Sequence, residues 1–216
     1  MSSKTIETSE VETVDAASRR VSPQRMTFEE FLASGDEPMM TEWVDGEVID
    51  VSPASRRHQE IFSFLLTLLG LYLEVHQTGT VLPAPFVMKL EKLKRGREPD
   101  LLFVSRERAH LIEKTHLNGP ADLVVEIVSP ESVERDSRVK FAEYEQAMIK
   151  EYWLIDPEHQ TALFYELGAD NRYRAAVTEP DGIYRSRVVP GFFIRTSWLW
   201  QTPSPTLDAL RELKLI

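Results

Sequence analysis

The sequence predicts an α/β protein of the α+β type, with helices packed on a central mixed β-sheet, and three observations predict it. Helical and strand-like stretches interleave along the 216 residues without an internal repeat, which favours one sheet covered by helices. The segment "ADLVVEIVS" (121–129) is a nearly continuous apolar run, the pattern of a strand covered on both faces. The stretch 56–76 places Ile61, Phe62, Leu65, Leu66, Leu69, Tyr72 and Leu73 on one broad helical face.

In chain order, residues 1–24 are rich in Ser, Thr and Glu with little periodicity, and are expected to form a disordered tail. Residues 25–216 are expected to form a single domain. Thr27 and Glu30 stand at capping-box spacing and predict a short helix. "EWVDGEVIDVS" reads as a hairpin turning at Asp45-Gly46. Ser55 precedes the long helix, and "GTVLPAPFVMKLE" and "EPDLLFVS" then read as consecutive strands around the basic turn "KLEKLKRGRE". After "ADLVVEIVS", a helix is predicted from about Glu131 to Met148, followed by the strand "EYWLIDP", ended by Pro157. Further strands are predicted at "TALFYEL", "YRAAV" and "GIYRSRVV". A last helix has Ser204 as its cap and Pro205 as its first residue.

Composition excludes several classes. The chain has no cysteine, so disulfides, thiolate metal sites and a cysteine nucleophile are ruled out. Its longest apolar run, 61–73, is too short to cross a bilayer, and residues 1–20 lack the apolar core of a signal peptide. No membrane partner and a cytoplasmic location are therefore expected. A formal net charge of −10 argues against general coating of DNA, but less against a carboxylate site whose bound cations offset the charge.

Two carboxylates sit in apolar strands, where an unpaired charge is costly. Asp100 opens "DLLFV", and Glu126 lies inside the next strand with Asp122, Val124 and Val128 on its face. If the strands are neighbours, Asp100 and Glu126 converge. Two hard oxygen donors suit Mg²⁺ or Mn²⁺; the plainer reading pairs each acid with an arginine or a neighbouring loop.

"EPDLLFV", "DLVVEIVSPES" and "RDSRVKFAEYEQAMIKEYWLIDP", with "EWVDGEVIDVSPASRRHQEIF" upstream, together resemble the Uma-two family of restriction-endonuclease-like proteins, over residues 25 to 170 or so. That family falls in the nuclease superfamily named for a Pro-Asp, then Asp/Glu-any-Lys, motif. The resemblance implies a restriction-endonuclease-like core and Mg²⁺- or Mn²⁺-dependent hydrolysis of DNA phosphodiesters. It assigns Asp100 and Glu126 to the metal and to catalysis. The chain departs from the superfamily motif at Val128, where the lysine would stand, and Lys140 in the following helix is the matching position.

Lys140 lies at i+4 from Asp136 and i−4 from Tyr144, so the alternative for it is a solvated lysine paired with Asp136. Glu42 matches the family's upstream glutamate, as a further metal ligand or a holder of one; an exposed residue before the turn is the alternative. His58 reads as lying on the polar side of the first turn of the long helix, touching a phosphate or supporting a site residue, or simply solvated. The basic run Lys89, Lys92, Lys94, Arg95 and Arg97 reads as a solvated hairpin tip or a contact to phosphates. Trp153 and Tyr152 read as core aromatics.

The leading expectation is thus an endodeoxyribonuclease-like phosphodiesterase. A binding or regulatory module that keeps the fold without cleaving is the alternative, and another phosphate ester as substrate is a third. By analogy with enzymes that cut both strands, the assembly expected is a homodimer.

Overall fold

The computed structural model describes residues 25–34, 41–50, 55–128 and 135–216. The expected tail at residues 1–24, the strand end at Ser129-Pro130 and the expected helix start at Glu131 lie outside these.

The chain enters through α1 (Phe28–Ala33), closed by the predicted capping box: Thr27 Oγ1 accepts from the Glu30 N–H, and the Thr27 N–H donates to the Glu30 carboxylate at 2.7 Å. β1 (Thr41–Val44) and β2 (Glu47–Asp50) form the predicted hairpin. Asp45 and Gly46 both have positive φ, 51° and 91°, as a two-residue turn of this twist requires. α2 runs from Arg56 to His76, capped by Ser55, whose side chain accepts from the His58 N–H.

The segment expected to give one strand before the basic turn gives two. β3 (Gly79–Pro83) and β4 (Val87–Leu90) belong to different sheets, separated by a stretch containing Pro85. The basic run is itself partly β5 (Arg95–Arg97), antiparallel to both β4 and β1. With the two-residue β7 (His116–Leu117), these strands make a five-stranded sheet of order β2-β1-β5-β4-β7.

The larger sheet adds β6 (Leu101–Ser105), β8 (Leu123–Ile127), β9 (Glu151–Asp156), β10 (Thr161–Leu167) and β11 (Tyr173–Ala175). Its order is β11-β10-β9-β8-β6-β3, with β8 and β9 parallel and the other pairs antiparallel, so it is a mixed sheet as expected. Period-2 alternation sorts its side chains. Leu101, Phe103, Leu123, Val125, Ile127, Trp153 and Ile155 pack against Ile61, Leu65, Leu68 and Leu69 of α2. Leu102, Val104, Val124, Tyr152 and Leu154 face the other way, in a cluster with Met88, Leu90 and Leu117 of the smaller sheet. This two-sided burial explains the apolar run of β8, whose five residues are all buried.

A π-helical turn, Arg135–Lys140, leads directly into α3 (Phe141–Gln146). The C-terminal region adds the hairpin of β12 (Ile183–Arg185) and β13 (Phe193–Arg195), the short α4 (Thr196–Leu199) and α5 (Thr206–Glu212). α5 begins one residue later than predicted: the Pro205 carbonyl accepts the first helical bond, from the Ala209 N–H at 2.9 Å, so Pro205 caps the helix and Ser204 lies outside it. No helix among the described residues is long and apolar enough to cross a membrane.

Candidate active site

β6 and β8 are antiparallel with Leu101 opposite Val125, and one further step of that register sets Asp100 opposite Glu126. Both carboxylates are buried, 8% and 4% exposed. Asp100 Oδ2 accepts the Ile127 N–H at 2.6 Å, reaching across to the strand that carries Glu126. Strand pairing therefore brings the two acids onto adjacent positions of neighbouring strands.

Lys140 closes over them. Its Nζ lies 3.0 Å from both oxygens of Glu126 and 2.9 Å from Glu42 Oε1, with the residue only 2% exposed. The reading of Lys140 as a solvated helix lysine is thereby overturned. Tyr144, one turn further on, donates its hydroxyl to Glu126 Oε1 at 2.6 Å. Burial first, then the Glu126 charge, push the Tyr144 hydroxyl well above its usual range, so it keeps the proton it donates.

Three residues sit elsewhere than the plainer sequence readings put them. Glu42 is fully buried rather than exposed before the turn, with Oε2 receiving Arg97 Nη1 at 2.7 Å. His58 is 8% exposed rather than on the polar side of α2, and its Nε2 stands 3.0 Å from Asp100 Oδ1. Arg97, read with the hairpin tip, is 2% exposed and clamps Glu143 through Nε at 2.8 Å and Nη2 at 2.7 Å. Lys92 and Lys94 of that run do remain exposed.

Sequence reasoning missed Glu143, Glu98 and the role of Arg97. Alternation along β5 was a usable signal, since Arg95 and Arg97 share a face and both reach Glu143. Nothing marked Glu98. Its Oε2 is buried without a hydrogen-bond partner among the described residues, and its carboxyl is pushed up to about 7, by burial first and then by the charge of Glu42. A hydrogen bond from the Thr41 backbone and the Lys140 charge pull the other way.

The cluster thus gathers Glu42, Glu98, Asp100, Glu126 and Glu143 around Lys140 and Arg97, with Arg95 at its margin. Among the described residues of this cluster, carboxylates outnumber arginines and lysines. Among the described residues, no three His, Asp or Glu side chains group tightly enough to hold a metal ion by themselves. Mg²⁺ and Mn²⁺ do not need three, since they bind through one or two carboxylates and keep waters. Two facing carboxylates, an acidic surplus and an unpartnered buried oxygen fit such an ion.

The comparison with family models decides the relationship. The model described as "Uma2: Putative restriction endonuclease" matches residues 28–197, most of the chain and every residue of the cluster. The chain belongs to the Uma2 family. A crystal structure described as a putative nuclease belonging to DUF820, from Anabaena variabilis, has the same fold: TM-score 0.67 at 18% identity, covering 81% of this chain and 97% of that one. No curated protein matches the chain. The Uma2 match spans β1, α2, β8, the residue that leads into β6 and the π-helical turn before α3, which carry Glu42, His58, Glu126, Asp100 and Lys140 respectively.

Proposed function

We propose that this Uma2 protein is a divalent-metal-dependent nuclease that hydrolyses DNA phosphodiester bonds, with Asp100 and Glu126 holding Mg²⁺ or Mn²⁺. One observation carries the reading: two buried carboxylates stand on neighbouring strands, Asp100 just before β6 and Glu126 within β8, with a buried lysine 3.0 Å from the second. When bound there, the ion supplies Lewis-acid polarisation of a phosphodiester and neutralises charge.

The side chains would divide the remaining work. Asp100 is fixed from two directions, by the Ile127 N–H and by His58, so its carboxylate enters the reaction already oriented. Tyr144 does the same for Glu126. Lys140, with three N–H donors, orients the attacking water and offsets the negative charge that develops on the phosphate. Glu42 supports Lys140.

The competing reading, a module with this fold that cleaves nothing, draws on the same geometry, because Lys140 already neutralises Glu126. Incubating plasmid DNA with the purified protein separates the two. Cleavage with Mg²⁺ or Mn²⁺ that stops in chelator and drops to the buffer rate in Asp100→Ala and Glu126→Ala is expected. Unchanged cleavage in either variant would remove the site assignment. Mn²⁺ binding without cleavage of DNA, RNA or simple phosphodiesters would favour the module.

A further inference from the structure

We infer that Glu42 is a positioning residue that retains Lys140 while Lys140 and a divalent cation compete for Glu126. This inference rests on the metal reading above and adds its regulation: the lysine shields the site until a cation displaces it.

The Lys140 ammonium stands 3.0 Å from each Glu126 oxygen, symmetric across the carboxylate and in front of it. A cation using those oxygens and the ammonium cannot both keep that place, because like charges at such a separation repel strongly in a buried site. Lys140 is 2% exposed, and a charge that gives up one partner inside a buried site is costly unless another holds it there. Glu42 supplies such an anion. Glu42 Oε1 lies 2.9 Å from Nζ, on a different strand and a different sheet from Glu126.

Glu42 is itself immobilised. Its Oε2 receives Arg97 Nη1 at 2.7 Å, and Arg97 is locked by two bonds to Glu143 of α3, the helix that continues from Lys140. The ring Glu42–Arg97–Glu143 thus ties β1 and β5 to the helix carrying the lysine. Lys140 can give up Glu126 while staying charged, buried and paired beside the site.

The competition has an arithmetic signature. Manganese binding is measured by titration calorimetry on the full chain for wild type, Lys140→Gln, Glu42→Gln and the double variant. Removing the competitor makes Lys140→Gln bind Mn²⁺ about fivefold tighter or more, the scale of an ordinary coupling between two ligands. Glu42→Gln binds more weakly, because the displaced lysine has lost its alternative anion. In the Lys140→Gln background the Glu42→Gln change has no effect, since there is no lysine left to retain.

Equal or weaker affinity in Lys140→Gln overturns the inference. Equal weakening by Glu42→Gln in both backgrounds also overturns it, and makes Glu42 a metal ligand instead. Absence of Mn²⁺ binding in wild type and in all variants removes the metal reading itself. If a variant does not fold, a Mn²⁺-soaked crystal of the wild type decides: Lys140 Nζ on Glu42 and beyond hydrogen-bond reach of Glu126 is expected, and Nζ still on Glu126 beside a bound ion contradicts it.

Discussion

Glu126 is a charged residue held at 4% exposure in a strand whose neighbours are apolar, and its pairing decides what that costs. Without Lys140, Glu126 and Glu42 would be left as buried carboxylates with less compensation. Removing one member of a buried pair costs about 3–5 kcal/mol. Lys140→Met in chelator should therefore lower unfolding free energy in urea by that order, and added Mn²⁺ should restore part of it. Glu98 gives a pH dependence. Its carboxyl is raised from 4.5 to about 7, so the folded state binds a proton more tightly than the unfolded state. Stability of the apoprotein should then fall as pH rises through roughly 4.5 to 7, and Glu98→Gln should flatten that fall. Urea titrations at pH 5 and pH 8 check it; an unchanged pH slope in Glu98→Gln would contradict the assignment. His58 Nε2 stands 3.0 Å from Asp100 Oδ1; on the proposed metal reading it supports a ligand, and His58→Ala should then weaken Mn²⁺ binding about 10–100-fold. Residues at this scale were unevenly legible. Asp100 and Glu126 announce themselves as acids in apolar strands. His58 lies three residues before Ile61 and seven before Leu65, both buried, so the helical period itself marked it as inward-facing.

Elements were most legible where local rules suffice. The Thr27 capping box, the Asp45-Gly46 turn and the span of α2 each depend on neighbours in sequence, and the structure has them where expected. Replacing Thr27 by Ala should cost about 1 kcal/mol and raise amide exchange in α1 first. The long strand β9 likewise ends at Asp156, before Pro157. β7 and β13 escaped because strands of two and three residues carry little periodicity and exist through distant partners. The turn of the smaller sheet escaped because a run of five bases within nine residues looks solvated until carboxylates from β1 and α3 are brought to it. Val128 illustrates the same limit in reverse. It packs in the apolar cluster with Val124 and Tyr144, while the lysine that stands beside Glu126 is Lys140, from the turn before α3. Trp153, fully buried between α2 and the C-terminal aromatics, holds those layers together, and Trp153→Ala should cost about 3–5 kcal/mol.

At the scale of the molecule, the two larger sheets share one apolar cluster through Leu102, Val124 and Tyr152 on one side and Met88, Leu90 and Leu117 on the other. The candidate site draws on both: Glu42 and Arg97 come from the smaller sheet, Asp100 and Glu126 from the edge of β6 and from β8. We propose on this ground that residues 25–216 unfold as one domain, with tryptophan fluorescence and far-ultraviolet circular dichroism giving coincident melts. A homodimer, proposed from the need to cut two strands, is open to measurement by sedimentation. The mixed-sheet class was legible from the order of patterns alone; the split into two sheets was not, because it depends on which distant strand pairs with β5. The central claim is that Asp100 and Glu126 together hold a divalent cation, and anomalous scattering from a Mn²⁺-soaked crystal tests it most directly. A peak within bonding distance of both carboxylates, lost in Asp100→Asn, is the predicted result. The contradicting result is a saturating soak with no peak there, Asp100 still on His58 and Ile127, and Glu126 still on Lys140.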